Sequence, residues 1–186
     1  MSGQKRNGQL TVRLALETDL DDIEEMVNDF VKGHPAENHP RSRATLRAAY
    51  FGDAPVARLV VATRNGRAIG MGQWTLIYDM FWGTYGANAE WLYVRSEYRR
   101  SGLAVAIVSE ICAQVRRAGG EFLHGAGEDE AQRLYQRVAI GRPTYDCHVS
   151  AEAFQLLADS AGLAPREIVR RLPSLELNRV PPRPRT

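Results

Sequence analysis

The stretch Val94-Arg95-Ser96-Glu97-Tyr98-Arg99-Arg100-Ser101-Gly102-Leu103-Ala104 holds the strongest chemical signal in the sequence. A hydrophobic strand feeds a short basic loop, and the loop runs directly into an amphipathic helix that starts at Ser101. The first turn of a helix has N–H groups with no internal partner, and these donors and the helix dipole favour an anion. Gly102 removes a side chain that would keep a phosphate off the backbone, and Ala104 keeps the next turn small. Arg99 and Arg100 add charge that pairs with phosphate oxygens. The segment reads as a pyrophosphate cradle, although it is neither GxxxxGK[ST] nor GxGxxG. An exposed helix start that happens to carry two arginines is the plain alternative. Four residues before Val94, Glu90 places a charge on a mostly apolar strand, where alternation sets it on the face of Leu92 and Val94. The other reading of Glu90 is a solvated carboxylate at a strand end. Asp79 and Glu128 are weaker candidates for the same proton-accepting role.

Trp74, Tyr78, Phe81, Trp82 and Tyr85 cluster before that strand. Aromatic faces hold an ammonium group by cation–π attraction, worth about 0.5–2 kcal/mol each. Packing of a long loop against a second subunit explains them equally well. His34, His39, His124 and His148 show no metal spacing on one helix, so no metal is expected. Cys112 and Cys147 are too few for a disulfide scaffold or a four-thiolate zinc site.

The 186 residues are 44% hydrophobic and 25% charged, values of an ordinary globular chain of one domain plus trimmings. No apolar run approaches the roughly 20 residues of a spanning helix, and residues 1–8 lack the apolar core of a signal peptide. A cytoplasmic protein with reduced thiols and no membrane partner is expected. The net charge of +2 is too small to announce nucleic acid. Six arginines against two glutamates in 165–186 give that tail +4 and leave −2 for the rest.

The elements that must position these residues follow from periodicity. Residues 1–9 read as a disordered leader. Leu10 to Leu16 alternates as a strand, with Val12, Leu14 and Leu16 on one face. Thr18 is expected to cap a helix on which Leu20, Ile23, Met26, Val27, Phe30 and Val31 recur, ending at Gly33. Glu24, Glu25 and Asp29 are expected on its solvated face. A weaker helix runs from about Arg41 to Tyr50, followed by a strand from Ala57 to Thr63. Asn65-Gly66 predicts a hairpin turn into a strand from Arg67 to Tyr78, where Gly70 and Gly72 hint at a bulge or close approach. Asp79 to Asn88 reads as an aromatic loop and Ala89 to Arg95 as a strand. A helix from Ser101 to Ala118 and a strand from Glu121 to Gly125 follow. A helix from Asp129 to Val138 and a strand from Thr144 to Val149 close a mixed α/β layer structure. Residues 150–179 form a helical C-terminal extension and 180–186 a disordered basic, proline-rich end.

Arg99-Arg100-Ser101-Gly102-Leu103-Ala104 matches R/Q-x-x-G-x-G/A, and Ala131-Gln132-Arg133-Leu134-Tyr135 matches A-x-x-L-Y. With the element order, these motifs resemble the GNAT superfamily of N-acetyltransferases over residues 10–149. The resemblance implies a mixed sheet that splays between the strands of Glu90–Val94 and Glu121–Gly125, flanked by helices, with acetyl-CoA in the wedge. It implies the diphosphate on the amides of Arg100, Ser101, Gly102, Leu103 and Ala104, and the pantetheine on the backbone of Tyr93 and Val94. An amine acceptor must lose a proton before it can attack, because its pKa lies near ~10.4. The resemblance gives that task to Glu90, commonly through water, and protonation of the departing thiolate to Tyr135. A packing role for Tyr135 stays open. The Val94 N–H would polarise the thioester carbonyl. No acyl-enzyme nucleophile stands out, so direct attack is the simpler scheme.

Tyr78-Asp79 followed by Trp82-Gly83 resembles the polyamine-acetylating branch, which implies a small aliphatic or polyamine-like acceptor. A protein amino group or an aminoglycoside comes next. After Tyr135, the run Gln136-Arg137-Val138-Ala139-Ile140-Gly141 departs from the family pattern, which bears on the acceptor site more than on CoA. A rival class rests on Ala158, Gly162 and Ile168, spaced as in a helix-turn-helix with Arg166, Arg170 and Arg171 beside them. That reading makes the chain an acyl-CoA-binding regulator with a DNA-binding C-terminus. A helical arm packed on the domain or on a second subunit, in a homodimer, is the alternative.

Overall fold

The computed structural model describes residues 10–33, 41–81 and 83–125. Their elements are β1 (Leu10–Leu14), α1 (Leu20–Val31), α2 (Arg43–Phe51), β2 (Arg58–Arg64), β3 (Arg67–Asp79), β4 (Thr84–Val94), α3 (Leu103–Arg117) and β5 (Phe122–Gly125). The strands form one mixed sheet in the order β1-β2-β3-β4-β5. Every neighbouring pair is antiparallel except β4–β5, which is parallel.

Helices cover both faces. On β2, Val60 and Ala62 join Ile107, Ile111 and Val115 of α3, while Leu59 and Val61 join Ile23 and Met26 of α1. Burial on both faces explains why β2 reads as a nearly unbroken apolar run rather than an alternation. Asn65 (φ 54°) and Gly66 (φ 81°) are both left-handed, as a two-residue turn between twisted strands requires. The glycines of β3 mark a close approach: a Cβ on Gly72 would stand 2.7 Å from Ile107 and 2.8 Å from Ile111.

Four expectations need correction. The aromatic loop at 79–88 is a tight turn followed by strand, since β4 begins at Thr84. Gly86 there is no loop signal; a Cβ on it would meet the Phe122 ring of β5 at 2.5 Å. Thr18 does not cap α1. A 3₁₀ turn over Glu17–Asp19 precedes the helix, and the Asp19 carboxylate accepts from the Leu16 N–H at 2.7 Å and from Arg13 at 2.6 and 2.9 Å. Leu16 lies outside β1 and is 54% exposed, so only Val12 and Leu14 of its expected face pack on the core. The second helix starts later than expected, at Arg43, because the Ser42 hydroxyl accepts from the Thr45 N–H at 3.1 Å. The elements expected beyond Gly125, including the C-terminal extension, lie outside the described residues.

Candidate active site

β4 supplies the site because its outer edge is only half used. Gly86 to Ala89 pair with Phe122 to Gly125 of β5, and among the described residues Trp91 to Val94 pair only with β3. The Arg95 N–H donates to Ile69 of β3 at 3.0 Å. Peptide direction alternates along an antiparallel strand, so Val94 turns its N–H and C=O toward the free edge. Tyr93 turns its own toward β3, where it sits opposite Met71. Of the two residues expected to meet the pantetheine by backbone, Val94 therefore faces the open edge and Tyr93 does not.

The strand then turns into α3 through a 3₁₀ turn at Ser96–Tyr98. Ser101 Oγ donates to the Tyr98 carbonyl at 2.6 Å, and Arg99 Nε donates to the Val94 carbonyl at 3.1 Å. Two residues of this turn are left-handed, Arg100 at φ 59° and Gly102 at φ 84°. The first bond of α3 runs from the Ala106 N–H to the Gly102 carbonyl at 3.1 Å. The N–H groups of Leu103, Ala104 and Val105 precede it and have no intrahelical acceptor, as at any helix start. A Cβ on Gly102 would meet no atom of the described residues within 4 Å beyond its chain neighbours, so among them it would project into open space beside these donors. The turn fits a diphosphate in the two respects that matter: unused donors, and room that a side chain would take. A cleft of about 480 Å³ lies alongside, lined by residues including Arg64, Tyr98, Ser101, Gly102 and Leu103.

Arg95 anchors the turn from beneath. Its side chain is buried and donates to both Glu25 oxygens at 2.8 and 3.0 Å and to the Ala68 carbonyl at 3.1 Å. Arg67 shares Glu25 at 2.9 and 3.0 Å, and Asp22 accepts from the Ala68 N–H at 2.7 Å. Hydrogen bonds from Arg95 and then Arg67 hold the Glu25 carboxyl down at about 2. Glu25 lies on the solvated face as expected, with its side chain 48% exposed, and from there it also ties α1 to Arg67 of β3 and to Arg95 at the start of the turn into α3.

Glu90 sits on a bulge. Gln73 lies opposite Trp91 and Trp74 opposite Ala89, which leaves Glu90 as the extra residue. The bulge reverses the face that simple alternation assigns. Leu92 and Val94 pack with the α3 core, whereas Glu90 accepts from Gln73 Nε2 at 3.0 Å and from Asn88 Nδ2 at 3.2 Å, on the side of α1 and α2. The Tyr50 hydroxyl of α2 donates to Gln73 Oε1 at 2.6 Å. Burial, and then the Glu90 charge, push the Tyr50 phenol up. Beside this chain, Phe30 of α1 packs edge-on against Trp91 at 4.7 Å and Tyr93 at 6.0 Å. Phe30 and Trp91 are each about 40% exposed.

The structure does not bring Tyr78 and Asp79 to Glu90. They lie at the far end of the β3–β4 ribbon, where Tyr78 stacks on Tyr85 at 5.0 Å, five residues or roughly 17 Å of strand from Glu90. Asp79 Oδ1 accepts from the Phe81 N–H at 2.8 Å, which shapes the turn. Trp82 and Tyr135 lie outside the described residues. Tyr50, Gln73, Asn88, Phe30 and Trp91 escaped the sequence reading. The one local hint was the Asn88-x-Glu90 spacing, since residues two apart share a strand face. Among the described residues no cluster of His, Cys, Asp or Glu suits a metal ion, and no helix is long and apolar enough to cross a membrane.

A mixed sheet left open along the end of β4, with a glycine-bearing turn from β4 into α3, suits an acyltransferase architecture, and the comparisons name the family. The sequence model of the acetyltransferase (GNAT) family matches residues 23–139, and the chain belongs to that family. No curated protein shows significant sequence similarity to it. Among solved structures it is similar to a transcriptional regulator from Bacillus halodurans C-125, with TM-score 0.63, 22% identity, and coverage of 75% of this chain and 99% of that one. An aminoglycoside N-acetyltransferase, AAC(6′)-Iy, in complex with CoA gives TM-score 0.64, 17% identity, and coverage of 80% and 99%. A ribosomal-protein-alanine N-acetyltransferase from Brucella melitensis biovar Abortus 2308 gives 0.62, 14%, and coverage of 76% and 99%. At these identities the structural likeness concerns the fold. Family membership makes the chain an acetyl-CoA-dependent N-acetyltransferase.

Proposed function

We propose that the protein moves an acetyl group from acetyl-CoA to a primary amine by direct attack, with a small aliphatic or polyamine-like amine as acceptor. The observation that carries this reading is the turn at 100–104, with its unpaired helix-start amides and the open space at Gly102. Arg100, Ser101, Gly102, Leu103 and Ala104 hold the diphosphate, with Arg99 adding charge. The free edge of β4 at Val94 pairs with the pantetheine. Bound acetyl-CoA supplies an electrophilic thioester carbonyl.

Glu90 takes the proton that the acceptor ammonium must lose, directly or through water, before its nitrogen lone pair can attack the thioester carbonyl and form the N–C bond. Tyr135 returns a proton to the thiolate sulfur as the C–S bond breaks; its role rests on the A-x-x-L-Y likeness. The half-exposed Phe30–Trp91 pair next to Glu90 offers aromatic faces to a cation. Tyr78 and Asp79 contribute farther out, where a long polyamine reaches, and Trp82 shares that role by the sequence likeness alone. An aminoglycoside or a protein amino group is the second acceptor class, in keeping with what two of the similar structures are named for.

The test is thiol release from acetyl-CoA across polyamines, short aliphatic amines, aminoglycosides and peptides with free N-termini. Turnover with the first two groups is expected. Turnover confined to peptides or aminoglycosides moves the acceptor, and thiol release with none of them defeats the reading.

A further inference from the structure

We propose that Gln73, braced by Tyr50, is the positioning residue for Glu90. The proposal rests on the reading of Glu90 as the base. A carboxylate only accepts hydrogen bonds, so of the two ends of the Gln73 amide only Nε2 can face Glu90, as it does at 3.0 Å. Oε1 must then face the other way, and it accepts from the Tyr50 hydroxyl at 2.6 Å. A phenol oxygen can accept as well as donate, so the acceptor-only carboxylate selects the direction of the amide, and the Tyr50 hydroxyl braces that direction by donating to Oε1. Asn88 Nδ2 approaches the other Glu90 oxygen at 3.2 Å. Both carboxylate oxygens are thereby fixed by neutral donors, and the bulge sets them on the α1–α2 side of the sheet.

This arrangement suits a base that must be fixed in place yet remain exposed to its substrate. Neutral donors hold the carboxylate without introducing a cation that would repel an ammonium acceptor. Among the described residues, the groups facing Glu90 are Tyr50 from α2, Gln73 from β3 and Asn88 from β4. From α1, the Asp29 charge acts on Tyr93 and Phe30 covers Trp91.

The experiment follows the Glu90 carboxyl carbon by NMR in protein labelled with ¹³C-glutamate, the signal being assigned by its loss in Glu90→Gln. Gln73→Met keeps the length of the side chain and deletes the donor. It should shift that signal at fixed pH, because one of the two donors to the carboxylate is lost, and should lower kcat/KM for the amine about tenfold with CoA affinity unchanged. Tyr50→Phe should lower it by less, because the amide is loosened rather than removed. In the Glu90→Gln background, Gln73→Met should cost no more than about twofold further, since a positioning residue acts only through the group it positions. An unmoved Glu90 signal in Gln73→Met, or an undiminished loss in the Glu90→Gln background, overturns the positioning role. Should Gln73→Met fail to fold, Tyr50→Phe decides by the same criteria. Glu90→Gln separates the two claims: an unchanged kcat/KM in that variant removes Glu90 as base, whatever Gln73 does to its signal.

Discussion

Gly102→Ala offers a sharp separation of stability from binding. In the free protein the new methyl group meets nothing within 4 Å, so packing is undisturbed. What remains is the backbone cost of a side chain at φ 84°, about 1–2 kcal/mol for a left-handed residue. For a chain of this size that lowers Tm by roughly 2–8 °C. Coenzyme binding should suffer much more. The methyl group occupies space beside the amides of Leu103 and Ala104, and loss of one charge-assisted hydrogen bond costs about 1.5–3 kcal/mol. That corresponds to about a 10- to 150-fold rise in the Kd for CoA. Gly119→Ala is the matched control, with φ 83° and open space around its Cβ, at the other end of α3. The helix has 15 residues, so the control site is roughly 22 Å away. Thermal unfolding and titration calorimetry on both variants should give equal stability losses and unequal affinities. Equal CoA affinity in the two would refute the argument that the Gly102 turn is where the coenzyme binds.

Other expectations can be stated briefly. The Glu25 carboxyl is held at about 2 in the folded chain against an ordinary 4.5, so its bonds to Arg95 and Arg67 stabilise the fold above pH 4.5. That contribution falls away as pH drops through 2; Glu25→Gln should show a shallower loss of stability over this window in acid unfolding followed by circular dichroism, and parallel curves would contradict it. Gly72→Ala should cost about 1–3 kcal/mol in urea unfolding, because its Cβ would press on Ile107 and Ile111 at 2.7 and 2.8 Å; an unchanged midpoint would mean α3 yields freely. Tyr135→Phe should lower kcat while leaving CoA affinity within about twofold; unchanged turnover takes Tyr135 out of the mechanism.

Elements with one dominant period were legible in the sequence. The apolar stripes of α1 and α3 and the Asn65-Gly66 turn fix those parts locally, and the phosphate turn is read from the same few residues that build it. The acid–base corner was not legible, for a definite reason. Its geometry depends on one extra residue in β4, and a bulge is created by pairing with β3, which no local pattern encodes. Strict alternation therefore set Glu90 with Leu92 and Val94, the wrong side of the sheet. Gln73 and Tyr50 are separated from Glu90 by 17 and 40 positions and look like ordinary polar fillers until the sheet assembles. Gly86 misled in the opposite sense, since its small size answers to Phe122, 36 residues away, rather than to a loop. Arg95 reads as no more than the last residue of a strand, although burial beside Glu25 makes it a brace.

The central claim is that the helix-start amides of α3 carry the coenzyme's diphosphate. A crystal structure of the protein grown with CoA tests this without intermediaries. The account expects diphosphate oxygens within hydrogen-bonding distance of the backbone nitrogens between Arg100 and Ala104, with the pantetheine running along the free edge of β4 at Val94. Density for the diphosphate at any other place on the chain would contradict it.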